Sequence, residues 1–579
     1  MLSSQNRPAD DSHTVLSTLV HGFDQDAVGN RDLIRELLAN DRQAFYSNAL
    51  KILRTRDDSR GVQYLVALLA ANDLLLPALC DPALSREQAR SLARAAIRVD
   101  PAADIELAKW LADYVAEGEP VQFEHASRLL DILGEISDGS RILPSLMRLM
   151  RRSNSNLRSK AVLIIGRRCR SAQWAQQRLA EKDPRIRANA VEGLWGVDSE
   201  AVRELLQFAA RDPNNRVSGN ALLGLYYLGD CSVIPEILKM AGHESALFRS
   251  TAAWVMGESG DPRFREALAG LLKDPNSAVR KRGFAALGRI KAAAAQTLQA
   301  GRWRVAGLFV GNNARQDSRS IQLAVVSEDG REQPRILPTA FILTEDRRQV
   351  ITYKVVERPT PEAMSVAFIL PRRGGPLESP WNPAALACLR WKRTSDLWAS
   401  VPYSPAGDQG APSASLDGAP LPFLASSDKV TETFTNVPAR TSCMDFWAAI
   451  RRSVRTDKGP ARGKRHVIVF SHTKESEAAG PELIAATLSS HAFVQVVSSV
   501  PNPALEDYCS RTHGNFQTAA ADEEITTLIE QAYLNLLARY DITYQPVCPE
   551  AATLKIRVHA PSGWGESEIP IPARPSGAD

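Results

Sequence analysis

Cysteine is scarce in this chain: Cys80, Cys169, Cys231, Cys388, Cys443, Cys509 and Cys548 are scattered, odd in number and never in a CxxC pair. That pattern excludes a disulfide-built scaffold and reads as reduced thiols, hence a cytoplasmic protein. Cys509 and His513 stand four apart, but no second pair nearby completes a tetrahedral metal site. Long apolar runs are missing as well. Residues 64–71 and 74–80 fall far short of the ~20 a membrane helix needs, so no membrane insertion is expected. The first residues carry Asp10, Asp11, Asp24 and Asp26 and lack the basic-then-apolar layout of a secretory signal. Also absent are GxxxxGK[ST], GxGxxG after a strand, HExxH and GxSxG. The chain therefore reads as non-enzymatic, with no catalytic residue, cofactor or metal. His466, His472 and His491 lie near strand ends, where a structural or surface role is the commoner one. Ser471 and His472, adjacent on a strand, point to opposite faces.

At 579 residues the chain is too long for one hydrophobic core and divides into several domains. Its hydrophobic fraction of 44% and charged fraction of 23% are those of a folded soluble protein. The net charge of +4 is unevenly spread. Residues 1–140 hold 22 acidic against 14 basic side chains, whereas residues 141–187 hold 13 Lys or Arg against only Glu181 and Asp183. A field of that sign attracts phosphates or acidic protein surfaces.

A repeat is visible. An apolar residue, usually followed by Arg, recurs at Leu157, Ile186, Val217, Phe248 and Val279, at intervals of 29, 31, 31 and 31. Four positions on stands a small residue (Ala161, Ala190, Ala221, Ala252, Gly283), and nine on a Gly or aromatic (Gly166, Trp195, Tyr226, Gly257, Gly288). Asp183-Pro184, Asp212-Pro213 and Asp274-Pro275 punctuate the pattern as turns in which Asp caps the next helix. Such a unit cannot bury its apolar face alone and must stack on its neighbours. The pattern resembles the short HEAT-like repeats of bacterial proteins and implies an α-solenoid over 119–300. A weaker unit precedes it at 123–149, and a helical cap covers 28–118. Residues 1–27 read as disordered or loosely ordered.

From Arg302 the signal turns to β. Residues 302–360 read as a small β-rich domain, 361–545 as alternating strands and helices forming a parallel sheet covered on both faces, and 546–579 as C-terminal strands and tail. The phrases at 337–346, 395–404, 512–516 and 539–544 occur in an order that resembles bacterial von Willebrand factor A-related proteins. The resemblance implies an α/β, Rossmann-like domain that usually holds Mg²⁺ through an Asp-x-Ser-x-Ser loop, a Thr and a late Asp. Here the first loop is Pro371-Arg372-Arg373-Gly374-Gly375, with no side-chain oxygen, and only Thr441, four before Asp445, fits the spacing. One oxygen cannot hold the ion. Thr441 and Asp445 are thus vestigial metal-site positions, and Arg372 and Arg373 are an anion contact or a solvated loop tip.

The chain so read is a multidomain interaction or scaffold protein. Its solenoid and A-like domain are docking surfaces for another protein with an acidic face; the alternative is a nucleic-acid-binding solenoid using 141–187. Arg158, Arg187, Arg249 and Arg280 follow the apolar marker and read as a ladder tying repeats together. Arg148, Arg151, Arg152, Arg167, Arg168 and Arg170 lie outside it and are the candidate partner-binding patch. Trp174, Trp195, Tyr226, Tyr227 and Trp254 are candidate stacking platforms, although the shared phase of Trp195 and Tyr226 reads as core.

Overall fold

The computed structural model describes residues 11–54, 59–114, 120–136, 139–151, 154–313, 317–328, 335–359, 363–371, 381–403, 421–435, 445–455, 464–472 and 478–572. Helices occupy the chain up to Ala300, and strands begin at Trp303. No described helix is long and apolar enough to cross a membrane. The chain divides into two units: Met1–Leu228, Glu236–Ser259 and Gly270–Gly283 form one, and Gly229–Pro235, Gly260–Ala269 and Phe284–Asp579 the other.

In the first unit the N-terminus departs from the sequence reading of 1–27 as loosely ordered. Asp11–His21 is a helix, because Leu16 and Val20, four apart, share a face and are fully buried. Five repeats follow as helix pairs: Gly139–Leu149 with Ser155–Cys169, Ala172–Leu179 with Pro184–Glu192, Glu200–Ala209 with Asn215–Tyr227, Val233–Ala241 with Ala246–Ser259, and Arg265–Leu271 with Ser277–Ala300. The marker residues Leu157, Ile186, Val217 and Val279 are buried at the first turn of the second helices. Asn154, Asp183, Asn214 and Asn276 cap those helices through their side chains. Of the three Asp-Pro turns expected to cap, only Asp183 does so. Asp212 and Asp274 stand two residues ahead of the capping asparagine and serve another purpose, described below.

The second unit contains three sheets. Its strands are β1 Trp303–Asn313, β2 Ser318–Ser327, β3 Phe341–Glu345, β4 Arg348–Val350, β5 Tyr353–Glu357, β6 Met364–Pro371, β7 Leu397–Tyr403, β8 Lys464–Ser471, β9 Phe493–Ser498, β10 Asn515–Thr518, β11 Tyr540–Tyr544, β12 Thr553–Ala560 and β13 Gly563–Pro570. The order β10-β9-β8-β6-β7 is a parallel five-stranded sheet. β6 is buried along its whole length. Val366, Phe368 and Leu370 pack under Trp381, Val430, Phe434, Ile529 and Tyr533. Ala367 and Ile369 pack under Phe446, Ile450, Leu483, Leu505 and Tyr508 on the opposite face. Helices thus cover both sides, as parallel strands require.

The orders β1-β2-β11-β5 and β13-β12-β3-β4 are antiparallel sheets, each drawing strands from both sides of the α/β segment. The boundaries read from sequence, a β domain ending at 360 and an α/β domain running to 545, are therefore corrected. β11 lies between β2 and β5, and β12 pairs with β3, so 303–357 and 540–570 form one β module. Pairing between strands so far apart leaves no periodic trace. Glu345 and Arg319, both fully buried, form an ion pair between the two sheets. Glu345 also accepts from the backbone N–H of Val547 (2.8 Å) and Cys548 (3.0 Å), and Arg319 donates to the carbonyls of Cys548 (3.3 Å) and Pro549 (2.6 Å).

This unit also claims part of the helical region, which moves the boundary once drawn at 300. Buried Arg263 pairs with Asp261 at 2.7 Å and donates to the Phe341 carbonyl (3.2 Å), the Tyr353 hydroxyl (2.5 Å) and the Thr339 carbonyl. Burial pushes the Tyr353 phenol far above its ordinary range, so it stays neutral.

Candidate functional site

The second helices stack side by side through a repeated set of polar ties. Arg187 donates through Nε (2.9 Å) and Nη2 (3.1 Å) to both oxygens of Asp212, and Arg249 through Nε (2.6 Å) and Nη2 (3.0 Å) to both oxygens of Asp274. In each case the acid lies 25 residues ahead, in the next repeat. The remaining Nη1 closes the local turn on two carbonyls, Glu181 and Lys182 for Arg187, His243 and Glu244 for Arg249. Arg249 holds the Asp274 carboxyl below its usual range. In the third repeat the arginine is replaced by Ser218, and the residue 25 ahead is His243, so arginine and acid are lost together. Asn189 and Asn220 add a second ladder, donating to the Ser159 (2.7 Å) and Ala188 (3.0 Å) carbonyls of the preceding repeat.

The position one before each marker forms a row that the stacked layer presents outward. Near the helix N-termini it shows Arg185, Arg216 and Leu247, all exposed. Arg185 reaches Asn156 and Arg216 reaches Asn189 at 3.2 Å; neither has a carboxylate partner among the described residues. At the other end Trp195, Tyr227 and Trp254 form a half-buried aromatic cluster. Trp195 stacks on Trp254 with 6.3 Å between centroids and meets Tyr227 edge-on at 5.7 Å. The Trp195 indole N–H donates to the Asn220 carbonyl at 2.9 Å, so its ring is held in place. Burial, with Glu258 nearby, pushes the Tyr227 phenol up to about 12. Fixed aromatic faces roughly 15 Å along the helices from open guanidinium groups can take an apolar side chain and carboxylates of one extended segment.

The patch expected from sequence does not come together as one surface. Arg148 and Arg151 stand at the C-terminal end of the first helix of repeat 1, whereas Arg167, Arg168 and Arg170 stand at the far end of the following helix, Ser155–Cys169. At 1.5 Å per residue the two groups are roughly 18 Å apart along that helix. Arg152 lies outside the described residues. Arg167 is paired with Glu192 at 2.9 Å, and Arg170, left-handed at φ 47°, ends its helix and donates to the Gly196 carbonyl at 3.4 Å. Part of the basic excess in 141–187 is balanced by acids outside that window: Arg141 by Asp104, Lys160 by Asp131, Arg167 by Glu192 and Arg187 by Asp212. Arg185 and Arg216 were missed, although both directly precede the repeat marker. Tyr226 is core, as its phase implied.

In the α/β segment the strand order reverses direction between β6 and β8, where open parallel sheets commonly leave a crevice at the strand C-termini. Arg372, Arg373 and Thr441 lie outside the described residues. Asp445 is the N-cap of the helix Phe446–Val454, accepting from the Ala448 N–H at 2.9 Å. Cys509 points into the core, its thiol pushed up to about 12 by burial, while exposed His513 ends the helix in a left-handed turn. That pair forms no site.

Residues 234–304 match the family model described as HEAT repeats. No curated protein matches the chain. Among solved structures, an aerotolerance-related membrane protein from Bacteroides fragilis is similar at 13% identity, over 29% of this chain and 98% of that one, with a TM-score of 0.21. Human deoxyhypusine hydroxylase is similar at 16% identity over 43% and 96%, with a TM-score of 0.22. Kap95p from a complex with RanGDP is similar at 13% identity over 50% of this chain and 41% of its own, with a TM-score of 0.25.

Proposed function

We propose that the chain is a non-enzymatic scaffold whose stacked second helices dock an acidic segment of a partner protein. The observation that carries this reading is the outward pair of Arg185 and Arg216, charged and without carboxylate partners among the described residues, on the same stacked helices as the fixed rings of Trp195, Tyr227 and Trp254. Carboxylates of the partner would enter the two guanidinium groups, and an apolar side chain would seat on the rings. The nucleic-acid reading is weaker. A phosphate track needs cations in a continuous line, and the candidate arginines Arg148, Arg151, Arg167, Arg168 and Arg170 are split between two helix ends, with Arg167 paired to Glu192.

The α/β segment is proposed to be a von Willebrand A-related domain acting as a second docking surface without metal. Its parallel sheet and double helical cover support the fold. Its residues do not fit the Mg²⁺ site of that family: Asp445 spends its carboxylate on a helix N-terminus, and the Pro371–Gly375 sequence offers no ligand oxygen.

The test uses the full chain and a charge-reversed Arg185→Glu/Arg216→Glu variant. Proteins retained by the wild type are purified and rebound, with affinities measured by calorimetry. Loss of at least about tenfold in affinity for one such partner supports the reading, since each carboxylate contact is worth ~1.5–3 kcal/mol. Unchanged affinities in this variant and in Trp254→Ala would sink it. Binding of duplex DNA that falls steeply with salt would shift the assignment to nucleic acid.

A further inference from the structure

We propose that the outer face of the helix Ser277–Ala300 receives an acidic amphipathic helix from a partner protein, led by a carboxylate that enters the guanidinium of Arg280. The repeat register carries this inference. Five positions after the marker stand Val162, Val191, Leu222, Ala253 and Phe284. The first four are 0%, 1%, 5% and 0% exposed, while Phe284 is 74% exposed. This position belongs to the stripe at two before the marker and two, five and nine after it, which faces the next repeat. Asn215 on that stripe bonds Thr251 of the following helix at 2.6 Å, and a Cβ added at Gly219 would meet the Thr251 side chain at 2.3 Å. One added at Gly166 would meet the Gly193 Cα at 3.2 Å.

In the fifth repeat the same stripe is open. Ser277, Lys281, Phe284 and Gly288 are exposed, and it continues through Ala292 and Ala295 to Leu298, which is 61% exposed. A Cβ at Gly288 would meet nothing within 4 Å. From Phe284 to Leu298 the seat runs roughly 21 Å, about four helical turns.

Arg280 supplies an independent sign of what is missing. Its Nη1 donates to the Asp274 (2.8 Å) and Pro275 (2.9 Å) carbonyls, the same local closure that Arg187 and Arg249 make. Those two arginines then spend Nε and Nη2 on a carboxylate 25 residues ahead. For Arg280 that position is Val305, and its Nε and Nη2 have no carboxylate among the described residues. The fork that elsewhere grips the lead-in of the next helix is left open.

Charge selects the occupant. The helix carries Arg280, Lys281, Arg282, Arg289 and Lys291 and no acidic residue. A second copy of the same helix would set like charges together, which disfavours self-pairing. Exposed Phe284 and Leu298 at the two ends of the seat favour a helix with its own apolar stripe over a phosphate backbone. This surface is separate from the stripe carrying Arg185 and Arg216, and neither reading depends on the other.

The probe is a fluorescein-labelled peptide copying residues 273–290, which would follow the register of a successor helix. It carries Lys281→Glu, Arg282→Glu and Arg289→Glu and one lactam bridge to hold it helical. Fluorescence anisotropy is read against the full chain, and against full-chain Arg280→Ala and Phe284→Ala. Both substituted residues are exposed, so the fold is retained, as circular dichroism will check. Saturable binding to the wild type, weakened at least about tenfold by each substitution and by Asp274→Asn in the peptide, is the expected result. No saturable binding, or binding indifferent to Arg280 and Phe284, overturns the proposal. So does self-association by sedimentation that Phe284→Ala abolishes, or binding of duplex DNA or anionic phosphatidylserine vesicles that Phe284→Ala abolishes while the peptide fails to bind.

Discussion

Replacing Arg319 by methionine removes the cation that sits between the two antiparallel sheets. Glu345 is then left fully buried without its cation, while the Cys548 and Pro549 carbonyls lose their donor. Breaking a buried pair by deleting one partner costs ~3–5 kcal/mol. Removing both charges, in Arg319→Met/Glu345→Leu, abolishes the unpaired ion but orphans four backbone groups of 547–549. At ~0.5–1.5 kcal/mol each the double variant still loses ~2–6 kcal/mol, short of the summed single losses of ~6–10 kcal/mol. The coupling energy expected from the cycle is therefore ~4 kcal/mol at the midpoints of these ranges. Because the chain has two units, a global unfolding midpoint is a poor readout. Hydrogen exchange of peptides spanning β11 and β12 reads the local opening free energy directly. A loss under ~1 kcal/mol in Arg319→Met, or single effects that simply add, would refute the assignment of this pair as the clasp of the module.

Two further outcomes are expected. In the repeat ladder, Arg187→Ala should lower the opening free energy of the helix Asn215–Tyr227 by ~2 kcal/mol, while Arg280→Ala, which breaks only carbonyl bonds, should cost under ~1 kcal/mol at its own helix by the same exchange measurement. Equal losses would contradict the cross-repeat role of the first. His466 is driven down to about 4 by burial, with Lys464 adding to the effect and Asp396 opposing it. Its neutral form is favoured in the folded state, so the unfolded chain takes up the proton first, near 6.5. Stability is full above that pH and falls by ~3 kcal/mol as pH drops through 6.5 toward 4. Opening free energies of β8 peptides, read by hydrogen exchange across this window, should fall less steeply in His466→Gln than in the wild type; parallel profiles would exclude His466 as the cause.

The solenoid was legible because its signal is local. One apolar marker per repeat sets the register, and burial of Leu157, Ile186, Val217 and Val279 follows from it. The parallel sheet was legible for the same reason, through continuous apolar runs such as 366–370 and 467–470. The β module was not, because β11 finds its neighbours by pairing with β2 and β5, and neither partner is encoded in its own sequence. The candidate patch failed on a related ground. A window of one charge is not a surface of one charge when repeats are folded against each other: Asp104, Asp131, Glu192 and Asp212, all outside 141–187, pair with four of its thirteen basic side chains. Arg185 and Arg216 are legible from phase, since residues one before the marker face outward, whereas a count of charges carries no phase.

β5 and β11 are antiparallel neighbours, yet 182 positions separate Glu357 from Arg539, whose guanidinium Nε meets the Glu357 carboxylate at 2.7 Å. For an unfolded connection that closure costs roughly 4–5 kcal/mol of chain entropy. If the α/β segment folds first, most of that cost is met before β11 arrives, since Met364 and Leu537 at its two ends already share one core. On a ribosome the β module is then the last part to form. Until 540–544 has been made, the edges of β2 and β5 stay unpaired, open to other strands. A nascent chain halted before Tyr540 should therefore aggregate through those edges. One in which a short turn replaces 361–537 should close the module at once, as an ordinary hairpin.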